Sequence, residues 1–242
     1  MSKPKPNMKL AAIAPKAGTA KSEHALSASQ SESRQPMQPR SQASLDRMLT
    51  AARKLMIERG GEDFTLQEVS NIGKVSTGSI YHRFAGKDEL VRAVIERELA
   101  VMADDENRAF AEALNNSANL DAYIPAYVRA FSDILRKNSL MLRLAMRRAT
   151  VDHEVSHSGN RRHRESTESL ACDLSRFRGE ISGDADTKAA MAFHIAFSTL
   201  VRQLSLESID PESNHSDWSM MLHELSEMIL AYLKFGRSRS TS

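Results

Sequence analysis

Apolar positions recur at helical spacing along most of the chain. Leu45, Met48, Leu49, Ala52, Leu55 and Met56 fall at i, i+3, i+4, i+7, i+10 and i+11, which places them on one face of a helix. Gly60-Gly61 supplies its C-terminal stop, since glycine enters the left-handed conformation that closes a helix without a Cβ clash. Thr65-Leu66-Gln67-Glu68 has the form of a capping box, in which the threonine hydroxyl accepts from the Glu68 amide and the Glu68 side chain returns to the Thr65 amide. The short helix that starts there is expected to end near Gly73-Lys74. Ser76 is the next N-cap candidate, for a third short helix through about residue 84. Ala85-Gly86 then precedes a fourth, with Lys87, Asp88 and Glu89 in its first turn and Leu90, Val94 and Ile95 carrying it past residue 100.

Beyond it the punctuation by Asn, Asp, Ser, Gly and Pro predicts helices at about 119–137, 139–156, 160–180, 184–207 and 216–235. Two wide apolar stripes stand near the end of the chain: Ala192, Phe193, Ala196, Phe197, Leu200 and Leu204, then Trp218, Met221, Leu222, Leu225, Met228, Ile229, Tyr232 and Leu233. No segment alternates with the period of two that a strand requires, and no fixed-period repeat is visible. The fold class expected is all-α: an N-terminal three-helix helix-turn-helix domain over residues 44–90, then a larger helical domain over 91–238. Residues 1–43 lack aromatic residues and any sustained periodicity, and are expected to form a disordered arm. The arm holds seven Lys or Arg against two Glu, an excess of five, so the rest of a chain with net charge +2 is net acidic by three. Such an arm can lie along DNA phosphates or simply act as a solubilising tail.

The stretch TLQEVSNIGKVSTGSIYHRF, residues 65–84, has the layout of two short helices joined by a tight turn, with Leu66, Val69, Val75 and Ile80 knitting them together and a polar outer face on the second. The run VSTGSIYHRFAGKDEL that ends this stretch and opens the fourth helix resembles the DNA-binding domain of the TetR family of regulators. The preceding helix fits too, with Ala51-Ala52-Arg53 and Glu58-Arg59-Gly60. The resemblance covers about residues 45–98. Two positions depart from the usual pattern: Ser70 stands where a small alanine packs, and Lys74 where glycine often occupies the turn. A lysine at a positive-φ position costs about 1 kcal/mol relative to glycine, and a serine can bond back to the helix backbone.

Position suggests the roles. Ser76 caps the recognition helix, and Thr77, Gly78 and Ser79 lie in its first turn, where short side chains let the backbone approach base edges; His82 is one turn on. The resemblance implies that Tyr81 and Lys87 reach phosphates, and the helix starting at Thr65 offers free amides to another. One helix-turn-helix covers too little duplex for tight specific binding, so a homodimer reading a palindrome is expected, with half-sites about 34–36 Å apart or a multiple. The resemblance assigns the dimer interface to the last two long helices. It also implies a small-molecule effector cavity among residues 87–180, for which the aromatic and apolar positions supply candidates: Phe110, Tyr123, Tyr127, Phe131, Met141, Leu144 and Met146, with Arg147 as an anion partner. Helical spacing equally makes each of the apolar ones a plain core residue.

Composition narrows the rest. At 242 residues and 41% hydrophobic the chain can bury a sizeable core, and no apolar run approaches the ~20 residues that span a bilayer. A single cysteine, Cys172, cannot close an internal disulfide, and no signal-peptide pattern is present, so a cytoplasmic protein is expected, with that thiol buried and inert. Arg143, Arg147, Arg148, Arg161, Arg162 and Arg164 form a basic cluster in sequence, either a pocket for an anion or a solvated surface. Among them lies His153-Glu154-Val155-Ser156-His157, an HExxH string, with His163 six residues on. Read literally this presents three zinc ligands and a general base. Against a zinc hydrolase stand the want of any strand to align a substrate, Asn160 where glycine would be needed, and Arg161-Arg162 beside the third histidine. A solvated turn is expected there, broken by Gly159 and Asn160, with a metal-sensing regulator as the alternative. No cofactor and no metal are expected, and the overall expectation is a non-enzymatic regulator, a repressor released from its operator by an effector. A DNA binder without a sensor cavity is the rival.

Overall fold

The computed structural model describes residues 39–206 and 215–235, and all of the expected arm up to residue 38 lies outside them. The helices, in order, are α1 (Pro39–Arg59), α2 (Leu66–Gly73), α3 (Thr77–Tyr81), α4 (Lys87–Asn115), α5 (Leu120–Lys137), α6 (Ser139–Ala149), α7 (His153–Leu174), α8 (Ala185–Leu206) and α9 (His215–Lys234), with a 3-10 turn at Ser175–Glu180. No strand occurs among the described residues. Helix α1 reaches back to Pro39, so residues 39–43, expected in the arm, are helical.

Two cores result. The first gathers Met48, Ala52 and Met56 of α1, Val69 of α2, Ile80 of α3 and Leu90, Val94 and Ile95 of α4, all essentially without exposure. Its stripe on α1 is the one the sequence periodicity predicts. Arg53 adds a link from α1 to α4, donating to the buried Glu98 carboxylate at 2.5 Å. The second core is aromatic: Tyr123, Tyr127 and Phe131 of α5 stack along one helix face against Phe110 of α4, Phe177 and Phe193. The spacing i, i+4, i+8 makes that file of rings possible. Helices α8 and α9 close this core with Ala196, Leu200, Leu225, Ile229 and Leu233.

Three boundaries differ from expectation, each for a local reason. The helix expected over 139–156 is two helices, because Asp152 caps a new one: its carboxylate accepts from the amides of Glu154 at 3.1 Å and Val155 at 3.5 Å. That carboxylate is itself buried and holds Arg92 and Arg148, both at 2.8 Å. Helix α7 then runs without a break through Gly159 and Asn160. Gly costs about 1 kcal/mol in a helix interior, and burial of Val155, Leu170 and Leu174 along the same helix exceeds that. Its continuation past Leu174 tightens into the 3-10 turn, where Phe177 leaves helical geometry to reach the aromatic core. Cys172, expected to be buried, is exposed on the outer face of α7.

Candidate functional site

The α2–α3 unit is assembled by its own side chains. The Thr65 hydroxyl accepts from the Glu68 amide at 3.2 Å while the Glu68 carboxylate accepts from the Thr65 amide at 2.8 Å, which completes the capping box. The Arg59 guanidinium at 2.5 Å, together with Thr65, holds the Glu68 carboxyl down to about 2. The chain then leaves α2 through Lys74, whose φ of 50° and ψ of 48° are left-handed. Three bonds close this turn: the Lys74 and Val75 amides both donate to the Ser70 carbonyl, and the Ser70 hydroxyl donates to the Val75 carbonyl at 2.6 Å. Ser70 therefore locks the turn itself rather than bonding back into its own helix. Gly73 is needed for proximity, since a Cβ there would stand 3.1 Å from the Arg47 carbonyl oxygen of α1.

Ser76 caps α3 by accepting from the Ser79 amide at 3.1 Å. Ile80 is fully buried between α2 and α4, which turns the opposite face of α3 outward. On that face Gly78 and His82 are exposed, Tyr81 is 59% exposed, and Thr77 and Ser79 are half-exposed. The Thr77 hydroxyl donates to Gln67 of α2 at 3.2 Å, so the two helices present one continuous polar surface. Ordered helix ends at Tyr81, short of the expected residue 84, although turn bonds from Arg83 and Phe84 to the Ile80 carbonyl continue the coil.

At the N-terminus of α2, expected to offer amides to a phosphate, the capping box takes the Thr65 and Glu68 amides, as its sequence predicts. The Lys87 ammonium donates to the Glu62 carbonyl at 3.0 Å and lies 5.5 Å from the centre of the Phe64 ring, pinning the start of α4 to the loop before α2.

A cavity of about 340 Å³ lies between α4, α5, α6, α7 and α8. Of the residues expected to line it, Phe131 and Met146 do. Phe110, Tyr123, Tyr127, Met141 and Leu144 are instead buried core, with exposures of 4% or less, because their helical faces meet other helices rather than the void. Arg147 points away from the cavity and donates to the Gly60 carbonyl, just past α1, at 2.7 Å. Sequence reasoning missed Glu106, Ser166, Phe193, His194 and Phe197, whereas Arg162, offered with the basic cluster as part of an anion pocket, does line the cavity. The signal for Glu106 was an acidic residue on the apolar face of a long helix, and for Phe193 and Phe197 it was the stripe assigned to dimerisation.

Those six arginines do not form one cluster. Arg143 donates to the Leu204 carbonyl, Arg148 to Glu62, Asp88 and Asp152, Arg161 to Glu96, and Arg162 to Glu106. The histidine string is likewise dispersed. His153, Glu154 and His157 are exposed on the first turns of α7, which is helix and not the expected turn. His163 faces the cavity, its ring edge-on to Phe193 and Phe197. Among the described residues no group of three or more His, Cys, Asp or Glu is placed to share a metal ion, and no helix is long and apolar enough to cross a membrane.

Residues 48–94, which span α1 to the first turns of α4, match the family of bacterial regulatory proteins known as the tetR family. Across 62% of its length the chain is 25% identical to the HTH-type transcriptional regulator UidR of Escherichia coli K12, covering 76% of that protein. The fold is shared with a TetR-family regulator structure from Mesorhizobium loti (TM-score 0.66, 17% identity, 81% of this chain and 98% of that one). It is shared as well with a transcriptional regulator from Cytophaga hutchinsonii (TM-score 0.61, 20% identity, 80% and 100%). With its capped α2, left-handed turn and outward-facing α3 lying inside the matched residues, the chain carries the DNA-binding domain of the tetR family of bacterial regulatory proteins and is similar beyond it to transcription regulators.

Proposed function

We propose that this protein is a homodimeric repressor that occupies a palindromic operator through α3 and is released when a small molecule enters the cavity beside α6. The observation that carries the reading is that one helix borders both places. Ala145 lines the cavity and belongs to the helix-turn-helix core, and Arg147 and Arg148 of the same helix bind the loop that precedes α2. Filling the cavity would therefore bear on the position of the DNA-reading unit through packed side chains. The coupling need be only about 1–3 kcal/mol to change occupancy 5- to 150-fold.

Base reading is assigned to Thr77, Gly78, Ser79 and His82, and phosphate contact to Tyr81, whose ring is the most exposed aromatic of the DNA-binding unit. Ser76 holds α3 in place. Lys87 sets the angle of α4 through Glu62 and can approach a phosphate only by giving up that bond. Dimerisation is assigned to the outer faces of α8 and α9. The boundaries proposed are a DNA-binding domain to about residue 90 and an effector and dimer domain from 91 onward.

The test is selection of genomic DNA fragments by the purified protein, followed by titration of a selected fragment across a salt series. Tyr81→Ala should lower affinity for selected and unselected DNA alike and reduce the salt slope by about 1, whereas His82→Ala should redistribute preference among sites. Unchanged affinity in Tyr81→Ala would remove α3 from the DNA interface.

A further inference from the structure

The cavity has two chemically distinct sides. Phe193 and Phe197, one turn apart on α8, lie with ring centres 5.9 Å apart and planes 15° from parallel. Phe131 of α5 stands 5.6 Å from the first and 6.4 Å from the second, within 28° of parallel to both. Three nearly parallel rings make one aromatic wall, which favours an offset-stacked or edge-on aromatic partner over an aliphatic one of equal area.

The opposite side is polar and electrically balanced. Glu106 of α4 is 5% exposed and pairs with Arg162 of α7, while the Ser166 hydroxyl donates to the same carboxylate at 3.3 Å. Burial raises the Glu106 carboxyl, and Arg162 and Ser166 oppose that rise. His163 stands between the two sides, its ring 5.0 Å from Phe193 and 6.4 Å from that of His194. Burial, and His194 next to it, lower His163 from its ordinary value, so at neutral pH it is an uncharged ring with one donor and one acceptor.

This balance selects against charge. An anion at Arg162 would lie beside the Glu106 carboxylate, and a cation at Glu106 would lie beside the Arg162 guanidinium. Either guest meets a buried like charge, which water screens little. A hydroxyl or carbonyl joins the network without breaking the pair. The volume, at the lower end of the ~300–1,000 Å³ usual for ligand cavities, suits one or two rings.

We propose that this cavity takes an uncharged aromatic compound of one or two rings bearing a hydroxyl or carbonyl group, with the ring against Phe193 and Phe197 and the polar group at His163 and Ser166. The proposal rests on the reading of this cavity as the effector site.

Calorimetric titration of the full chain with a matched probe series tests it: 2-naphthol, 2-naphthoate, 2-naphthylmethylammonium and decan-1-ol, each also added to the protein bound to a selected DNA fragment. We expect 2-naphthol to bind at least tenfold more tightly than each of the other three. Phe197→Leu, at a half-exposed position that tolerates the change, should weaken 2-naphthol about tenfold and leave decan-1-ol unaltered. Tighter binding of either charged probe, parity of decan-1-ol with 2-naphthol, or no binding of 2-naphthol at 1 mM (a binding free energy weaker than about −4 kcal/mol) overturns the ligand class. Binding of 2-naphthol without loss of DNA upholds the ligand class and overturns the effector reading. Release of DNA by a charged probe does the reverse.

Discussion

The Arg148 guanidinium of α6 donates to the Glu62 carboxylate at 2.8 Å, across 86 residues of sequence, and so ties the cavity wall to the loop that introduces α2. The same fork reaches Asp88 at 3.0 Å and Asp152 at 2.8 Å, and Arg148 is only 14% exposed. Arginine suits this place because its planar fork holds five donors in fixed, spread directions that reach separate carboxylates, whereas a lysine offers three donors from a single nitrogen. Arg148→Ala leaves the buried Asp152 with Arg92 alone. We expect a loss of about 2–3 kcal/mol in urea unfolding, with Tm lower by about 4–10 °C. Arg148→Lys should recover less than half of it. A loss below 1 kcal/mol for Arg148→Ala would mean that the contact carries no strain between the domains.

Asp152 gives that network a pH dependence of definite sign. Burial alone would raise its carboxyl, but bonds from Arg92, Arg148 and the Val155 amide together outweigh burial and hold it down to about 2. A carboxyl depressed in the fold contributes stability that is complete above its unfolded value, about 3.9, and is lost as pH falls toward 2. Glu106 acts in the opposite sense, since burial raises it: its contribution is complete below about 4.3 and is lost only as pH rises above that, so it does not vary with the Asp152 contribution as pH falls toward 2. Asp152→Asn keeps the cap and removes the charge. Its deficit against the unaltered protein should be largest at pH 6 and narrow steadily from pH 4 to pH 2.5 in urea titrations. A deficit independent of pH would assign the effect to packing.

The helical layout was legible because caps and stops are local. Thr65, Ser76 and Gly60-Gly61 mark boundaries through bonds within five residues, and Lys74 adopts the left-handed turn that its place between two short helices demands. The cavity was not legible. Whether Phe110 or Phe131 meets a void depends on the angle at which α4 and α5 meet α7 and α8, and both positions look identical in a helical period. Polar residues on apolar faces carried the better signal: Glu106, Ser166 and His163 interrupt helices that otherwise bury carbon, and all three face the cavity. Asp152 shows the converse, since its neighbours in sequence do not reveal that Arg92 lies against it.

The apolar residues of the last two helices divide into an inner set, drawn from the stripes, and an outer set that extends beyond them. Leu200 and Leu225, at 0% and 4% exposure, belong to the chain's own core. Met191 of α8 and Met220 and Met228 of α9 are 44%, 60% and 63% exposed, and the last two share a face. If the dimer forms here, Met220→Glu with Met228→Glu should lower dimer affinity at least 100-fold in sedimentation equilibrium while the far-ultraviolet dichroism stays unchanged. Leu225→Glu should instead unfold the chain, because it buries an unpaired ion. A double variant that still dimerises with undiminished affinity would move the interface elsewhere.

Tyr127 and Tyr123 lie one turn apart in the aromatic core with rings 5.9 Å apart, yet their hydroxyls differ in kind. Tyr123 donates to Asp173 at 2.8 Å. The Tyr127 hydroxyl is fully buried and has no hydrogen-bond partner among the described residues, and burial raises this phenol far above its ordinary range, so it stays protonated. A buried polar group without a partner costs about 1–3 kcal/mol, and its removal with the ring retained returns some of that. The ring itself must stay, since it packs at 4.5 Å on Phe110 and 5.9 Å on Phe131. Tyr127→Phe should therefore be neutral or stabilising by up to about 1 kcal/mol in urea unfolding, whereas Tyr123→Phe should cost about 1–3 kcal/mol by leaving the half-buried Asp173 carboxylate without its donor. Equal costs for the two substitutions would show that both hydroxyls are bonded, and would place a polar partner beside Tyr127 at the edge of the Glu106–Arg162 pair.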